Sequence, residues 1–160
     1  MSHLLVLAAF LIVAIGGGLL IGFAARPGAW YAGLVKPPFN PPNWVFAPVW
    51  TLLYALIAVA GARTFERGLD FAFALWVAQL VLNFAWSPVF FRLHRPGAAL
   101  AIVAALLAVI IAFLAQNWQA DNVSALLFVP YACWVAFATL LNASIMKLNR
   151  KDAYQARRMG

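Results

Sequence analysis

Apolar residues run through the chain in long stretches, broken by short polar or proline-rich segments. The first stretch, Leu4 to Ala25, carries no charge. Four more follow: about Val45 to Arg63, Phe71 to Phe91, Gly97 to Ala115 and Val123 to Met146. A hydrocarbon core about 30 Å thick needs roughly 20 apolar residues per helical span. Each stretch therefore predicts a membrane-crossing helix, α1 to α5 in chain order. The connections Thr64 to Asp70, Arg92 to Pro96 and Gln116 to Asn122 are short. The one between α1 and α2, Arg26 to Trp44, is long. It holds Pro27, Trp30, Tyr31, Pro37, Pro38, Phe39, Pro41, Pro42 and Trp44. Proline fixes φ and removes a donor, which rules out a continuous helix there. Such backbone does not survive facing lipid, so the loop is predicted to lie at the interface or fold over the bundle. The expected fold is an all-α integral membrane protein. It is one domain, residues 1–160: a five-helix bundle with a long Pro/Trp-rich loop and a polar, basic tail from Lys147.

Composition agrees with this pattern. The chain is 66% hydrophobic and 9% charged, against about 25% charged in soluble domains. Only Ser2 and His3 precede the first run, so it lacks the basic start of a signal peptide and exceeds the roughly 7–15 apolar residues of one. It reads as a retained helix. The net charge of +7 does not point to nucleic acid, because the basic residues flank the apolar runs. Nine of them (Arg26, Lys36, Arg92, Arg95, Lys147, Arg150, Lys151, Arg157, Arg158) fall on one side, against Arg63 and Arg67 on the other. By the positive-inside rule, the C-terminus and the loop 26–44 are expected in the cytoplasm; the choice of inner or outer membrane stays open. The single cysteine, Cys133, excludes an intramolecular disulfide.

The acidic residues Glu66, Asp70, Asp121 and Asp152 lie in loops or the tail, and His3 and His94 lie at membrane edges. No ionisable group is placed near a helix midpoint, where pumps and ion-coupled transporters carry theirs. The same distribution offers no general acid, general base or metal site, so no catalytic residue, metal or required cofactor is predicted.

The helices instead carry neutral polar and aromatic residues at helical spacing. Gln79, Asn83, Trp86 and Phe90 share one face of α3; Tyr131, Trp134, Ala138 and Asn142 share one face of α5; Phe46, Trp50, Leu53 and Tyr54 share one side of α2. An amide in lipid is costly unless bonded, so Asn83 and Asn142 should face inward. Trp50, Trp86 and Trp134, with Trp30 from the loop, are predicted to converge in the half of the bundle beneath that loop. An aromatic cavity with a few neutral polar groups suits a flat hydrophobic ligand, and Arg26 or Lys36 at its rim would pair with a ligand carboxylate. Trp44 and Trp118 read as interface anchors. Gln79 and Asn83 read first as helix–helix hydrogen bonds. Gly18 with Gly22, and Ala74 with Ala78, have the spacing of dimer seams.

Three segments carry a family resemblance: Trp30 to Tyr54 (WYAGLVKPPFNPPNWVFAPVWTLLY), Ala78 to Phe91 (AQLVLNFAWSPVFF) and Val129 to Asn142 (VPYACWVAFATLLN). They resemble the translocator proteins, also called tryptophan-rich sensory proteins or peripheral benzodiazepine receptors. The resemblance implies a five-helix bundle, usually a homodimer in the lipid membrane, with a pocket closed by the first loop. It implies porphyrin ligands such as protoporphyrin IX, and in many members cholesterol and benzodiazepine-type compounds, with roles in transport or sensing. On it, Trp50, Trp86 and Trp134 would be pocket tryptophans, Ala138 a position that affects affinity, and Leu141 a neighbour of the pocket. Animal members carry a tyrosine in a proposed cholesterol motif where this chain has Ala143, which favours porphyrin over sterol. A formal sterol-type pattern recurs in the tail at Leu148, Tyr154 and Arg157, although such patterns are degenerate. Two other readings remain open: enzyme-like, light- and oxygen-dependent porphyrin degradation using the pocket tryptophans, and a helical scaffold for partner proteins.

Overall fold

The computed structural model describes residues 2–159, with side-chain surroundings for 2–150. Five helices are long and apolar enough to cross a membrane: α1 (His3–Ala24), α2 (Asn43–Glu66), α3 (Asp70–Arg92), α4 (Pro96–Ala120) and α5 (Asn122–Met159). The chain is a multi-pass integral membrane protein. The long loop contains a single helical turn, Ala29–Ala32, and no strand occurs among the described residues.

Every expected span is present, but several ends move. α4 passes its expected end at Ala115 and runs to Ala120, leaving only Asp121 before α5. Its polar last turn stays helical partly because buried Asn117 donates to Phe113 O at 2.9 Å. α5 continues past Met146 to Met159, through Lys, Leu, Arg, Gln and Ala, which favour helix. The side chains of Tyr154 and Arg157, and with them the tail pattern begun at Leu148, lie outside the described residues. α2 runs beyond Arg63 to Glu66 and stops at Gly68 (φ +65°). There Leu69 N–H bonds Thr64 O at 3.2 Å and Gly68 N–H bonds Phe65 O at 3.1 Å. This is a Schellman ending, and it needs the left-handed backbone that glycine supplies without a Cβ penalty.

The helices form a ring in the order α1, α2, α5, α4, α3. One half, toward the α2–α3 and α4–α5 turns, is solid. Ile57, Trp76, Ile110, Phe113 and Phe128 pack there with little or no exposure, and Phe113 stacks on Phe128 with centroids 4.0 Å apart. Trp76 donates its indole N–H to Ile57 O at 2.8 Å. Gly61 allows this, because a Cβ there would run into the Trp76 indole and sit 2.8 Å from the Phe10 ring. α1 carries a π-helical turn at Ile12–Gly16. Before it α1 packs on α2; after it the backbone leans toward α3.

Ion pairs clip the ends of the solid half. Arg63 donates to Asp121 at 2.7 and 3.2 Å, and Ser124 donates to the same carboxylate at 2.6 Å. His3 reaches Glu66 at 2.7 Å. Burial raises the Asp121 pKa, but the hydrogen bonds from Arg63 and Ser124 and the charges of Arg63 and Arg67 outweigh it, so the carboxyl titrates below its ordinary 3.8.

Two outcomes follow. Gly61→Ala is expected to push Trp76 off the Ile57 carbonyl and cost about 2 kcal/mol, measured as a lower melting temperature in detergent. A carboxyl held low in the folded chain stabilises above its ordinary value, and that contribution is lost as pH falls through its folded value. Melting should therefore weaken on acidification below 3.8. Asp121→Asn, lacking the ion pair, should melt lower at neutral pH and lose less on acidification.

Candidate ligand cavity

Below the long loop the ring is hollow, enclosing a cavity of about 580 Å³. The helical spacing of the wall residues explains its lining. α2 contributes Phe46, Trp50 and Tyr54, α3 contributes Asn83, Trp86 and Phe90, and α5 contributes Trp134, Ala138, Leu141 and Asn142. Residues three or four apart on a helix share a face, so each helix presents one stripe. α4 adds only Val103 and Leu106.

Hydrogen bonds hold these stripes together. Tyr54 donates its hydroxyl to Asn83 Oδ1 at 2.7 Å. Asn83 Nδ2 donates to the Tyr131 hydroxyl at 2.9 Å, which donates to Gln79 Oε1 at 2.9 Å. The chain of bonds ties α2, α3 and α5 at the cavity floor. At the loop end, Asn142 is placed so that both ends of its amide find partners. With the amide turned to suit these neighbours, its oxygen accepts from the Trp86 indole N–H and the Leu100 N–H, each at 3.2 Å, and its nitrogen donates to Pro96 O at 3.1 Å. Trp86 is thus fixed in place, stacked on Phe90 at 5.3 Å. Trp50 leans on Tyr54 at 5.3 Å, and Trp134 meets Phe46 edge-on at 5.8 Å. The arrangement offers flat aromatic faces and a few neutral polar groups. Among the described residues no three His, Cys, Asp or Glu side chains gather to hold a metal ion.

The loop folds over the bundle as a cover. Tyr31 is buried and packs edge-on against Phe90 and Phe91 at 6.1 and 5.2 Å. Burial raises its phenol pKa, partly countered by the hydrogen bond to Asn40. Asn149 of α5 makes a paired contact with the Val35 backbone, accepting from its N–H and donating to its carbonyl, both at 3.0 Å. Arg92 donates to Ala24 O at 2.6 Å, capping the C-terminal end of α1.

Of the residues singled out in the sequence, Trp50, Tyr54, Asn83, Trp86, Trp134, Ala138, Leu141 and Arg26 line the cavity. Three do not. Trp30 faces the α3–α4 turn, stacked on His94 at 4.4 Å, where His94 has φ +53°. Lys36 is not at the rim: its ammonium donates to Ala32 O and Leu34 O at 3.3 and 3.1 Å and lies over the Tyr31 ring. Tyr131 lies one layer beneath the wall, fully buried, with its hydroxyl spent in the polar chain. Other lining residues come from α1, including Gly18, Leu19, Gly22 and Phe23. The four-residue spacing of Gly18 and Gly22 was the available signal, and it points to the cavity wall as well as to a seam. Trp44 and Trp118 are 74% and 57% exposed, as interface anchors would be.

The model of the TspO/MBR family matches residues 8–148. The chain belongs to the TspO/MBR family. A tryptophan-rich sensory protein of Cereibacter sphaeroides is 40% identical, over 86% of this chain and 88% of its own length. Protein CrtK of Rhodobacter capsulatus is 37% identical, over 80% and 83%. The human translocator protein is 34% identical, over 75% of each chain. The region matched by the family reaches into all five spans and takes in the loop and every wall residue of this TspO/MBR chain.

Replacing Asn83 by Ala would orphan the Tyr54 hydroxyl, leave Tyr131 bonded only to Gln79 and open a small void among three helices. Tyr54→Phe removes a single donor. Asn83→Ala should therefore cost about 2–3 kcal/mol and Tyr54→Phe about 1 kcal/mol, read as shifts in thermal unfolding of the solubilised protein.

Proposed function

We propose that this protein binds flat hydrophobic tetrapyrroles, with protoporphyrin IX as the representative, in the cavity beneath the loop, and serves their transport or sensing. The convergence of Trp50, Trp86 and Trp134 on one cavity of about 580 Å³ carries this reading. The volume falls within the roughly 300–1,000 Å³ of small-molecule sites, and indole faces favour a planar π-system. Arg26, the basic residue on the wall, is the partner for a ligand carboxylate. Relatives named sensory protein and translocator protein agree with a role in sensing or moving a ligand. The basic residues of the loop and tail support a cytoplasmic C-terminus and loop 26–44, and the resemblance to translocator proteins supports a homodimer as the working unit. Sterol is the weaker ligand, given Ala143.

Purified protein in nanodiscs should show tryptophan quenching on addition of protoporphyrin IX. Losing one indole face costs about 1 kcal/mol, so Trp50→Phe and Trp134→Phe should each weaken the Kd roughly fivefold. Unchanged binding in both variants would remove the site assignment. Bleaching of porphyrin absorbance that needs light, oxygen and both tryptophans would instead favour the degradative reading.

A further inference from the structure

The loop roofs most of the cavity, while its flank is open up to Arg26, Pro27 and Asn43, which line it and are exposed. Over the top, the loop is held by the Asn149–Val35 pair, the Trp30–His94 stack and the packing of Tyr31 on Phe90 and Phe91. Ala25 and Tyr31 are only 3% and 6% exposed. Removing this cover would break contacts to α3, to the α3–α4 turn and to α5 together.

The flank between α1 and α2 differs. The two helices pack together through the π-turn, and a Cβ at Gly18 would strike the Tyr54 ring. Beyond Gly18 the backbone of α1 leans toward α3. One turn on, a Cβ at Gly22 would meet nothing within 4 Å. Leu19 and Gly22 on α1, and Ala47 and Thr51 on α2, all line the cavity and are exposed. Wall residues that are also exposed mark the edge of an opening; it runs from Arg26, Pro27 and Asn43 at the interface down to these four, where it faces lipid. Its rim suits hydrocarbon, because the Thr51 hydroxyl is already spent on Ala47 O at 2.9 Å and leaves no free donor.

We infer that the cleft between Gly22 of α1 and Ala47 and Thr51 of α2 is a lateral portal that admits ligand to the cavity directly from the bilayer. The inference rests on the tetrapyrrole reading and adds the route. A planar amphiphile dissolved in the membrane holds its ring in the acyl region and its acid group at the interface. Arg26 lies four residues beyond Gly22, on the same wall. Such a ligand can slide in sideways, with its carboxylate staying at the level of Arg26 and the loop remaining in place.

The test is stopped-flow tryptophan quenching with protoporphyrin IX in nanodiscs. Gly22→Leu and Ala47→Leu narrow the cleft, and both should slow association and dissociation together by about tenfold, so that their ratio moves far less than either rate. Asn149→Ala, which loosens the loop, should leave both rates near wild type. In wild type, the association rate should follow ligand per lipid rather than ligand per volume of buffer. Wild-type rates in both cleft variants, with acceleration by Asn149→Ala, would overturn the portal while leaving the binding reading intact. An association rate set by the aqueous concentration would do the same. Absence of any quenching in wild type would instead defeat the binding reading, and the portal with it.

Discussion

One carboxamide, that of Asn83, joins three membrane spans. Its oxygen accepts from Tyr54 on α2 and its nitrogen donates to Tyr131 on α5. In lipid, helices gain little from hydrophobic association, since the surrounding chains are as apolar as leucine. What locks them is close packing and the avoidance of unpaired polar groups. Because Asn83 needs both partners, it fixes the rotation of α2 and α5 about their axes relative to α3. Those rotations bring Trp50, Trp86 and Trp134 to a common space. The aromatic chamber is thus a geometric result of satisfying one amide, reinforced at the loop end by Asn142 and Trp86.

The bundle divides its labour along its length. The half near the α2–α3 and α4–α5 turns is packed with Phe113, Phe128 and Trp76, and it is clipped by pairs of opposite charge. The half under the loop is hollow, and its cations are used differently. Arg92 and Lys36 donate to backbone carbonyls, and Arg26 lies over the Phe23 ring at 4.2 Å. The solid half supplies rigidity, which lets the other half keep a cavity without collapsing. The loop then roofs the five-helix ring, anchored mainly through backbone and aromatic contacts.

Much of this was legible in the sequence, for physical reasons that differ by element. The spans could be read because length and lack of charge suffice in a bilayer. The stripes on α2, α3 and α5 could be read because polar and aromatic residues interrupt aliphatic ones at helical spacing. α1 resisted: it is apolar on every side, so no face stands out, and its share of the cavity wall comes from glycines and aliphatic or aromatic residues that look like the rest of the helix. Tyr131 shares a stripe with Trp134, but spacing does not report radial depth, and it lies in the floor behind the wall. Trp30 was misplaced because its partner, His94, sits in a left-handed turn that no pattern announced. Lys36 was assigned to the rim on charge alone, whereas nearby carbonyls left at the end of a one-turn helix capture it. The end of α4 lies beyond the polar residues that suggest a stop at Ala115, because Asn117 is buried and bonded within the helix.

The π-turn in α1 has an evolutionary corollary. Such a turn holds one residue more than regular α-helix, and every position after it is rotated by about 100° relative to an uninterrupted helix. Deleting any one of residues 12–16 would restore the ordinary winding and carry Gly18 and Gly22 around to a different azimuth. A single codon lost is thus enough to change which residues of this helix face the chamber, with no other residue changed.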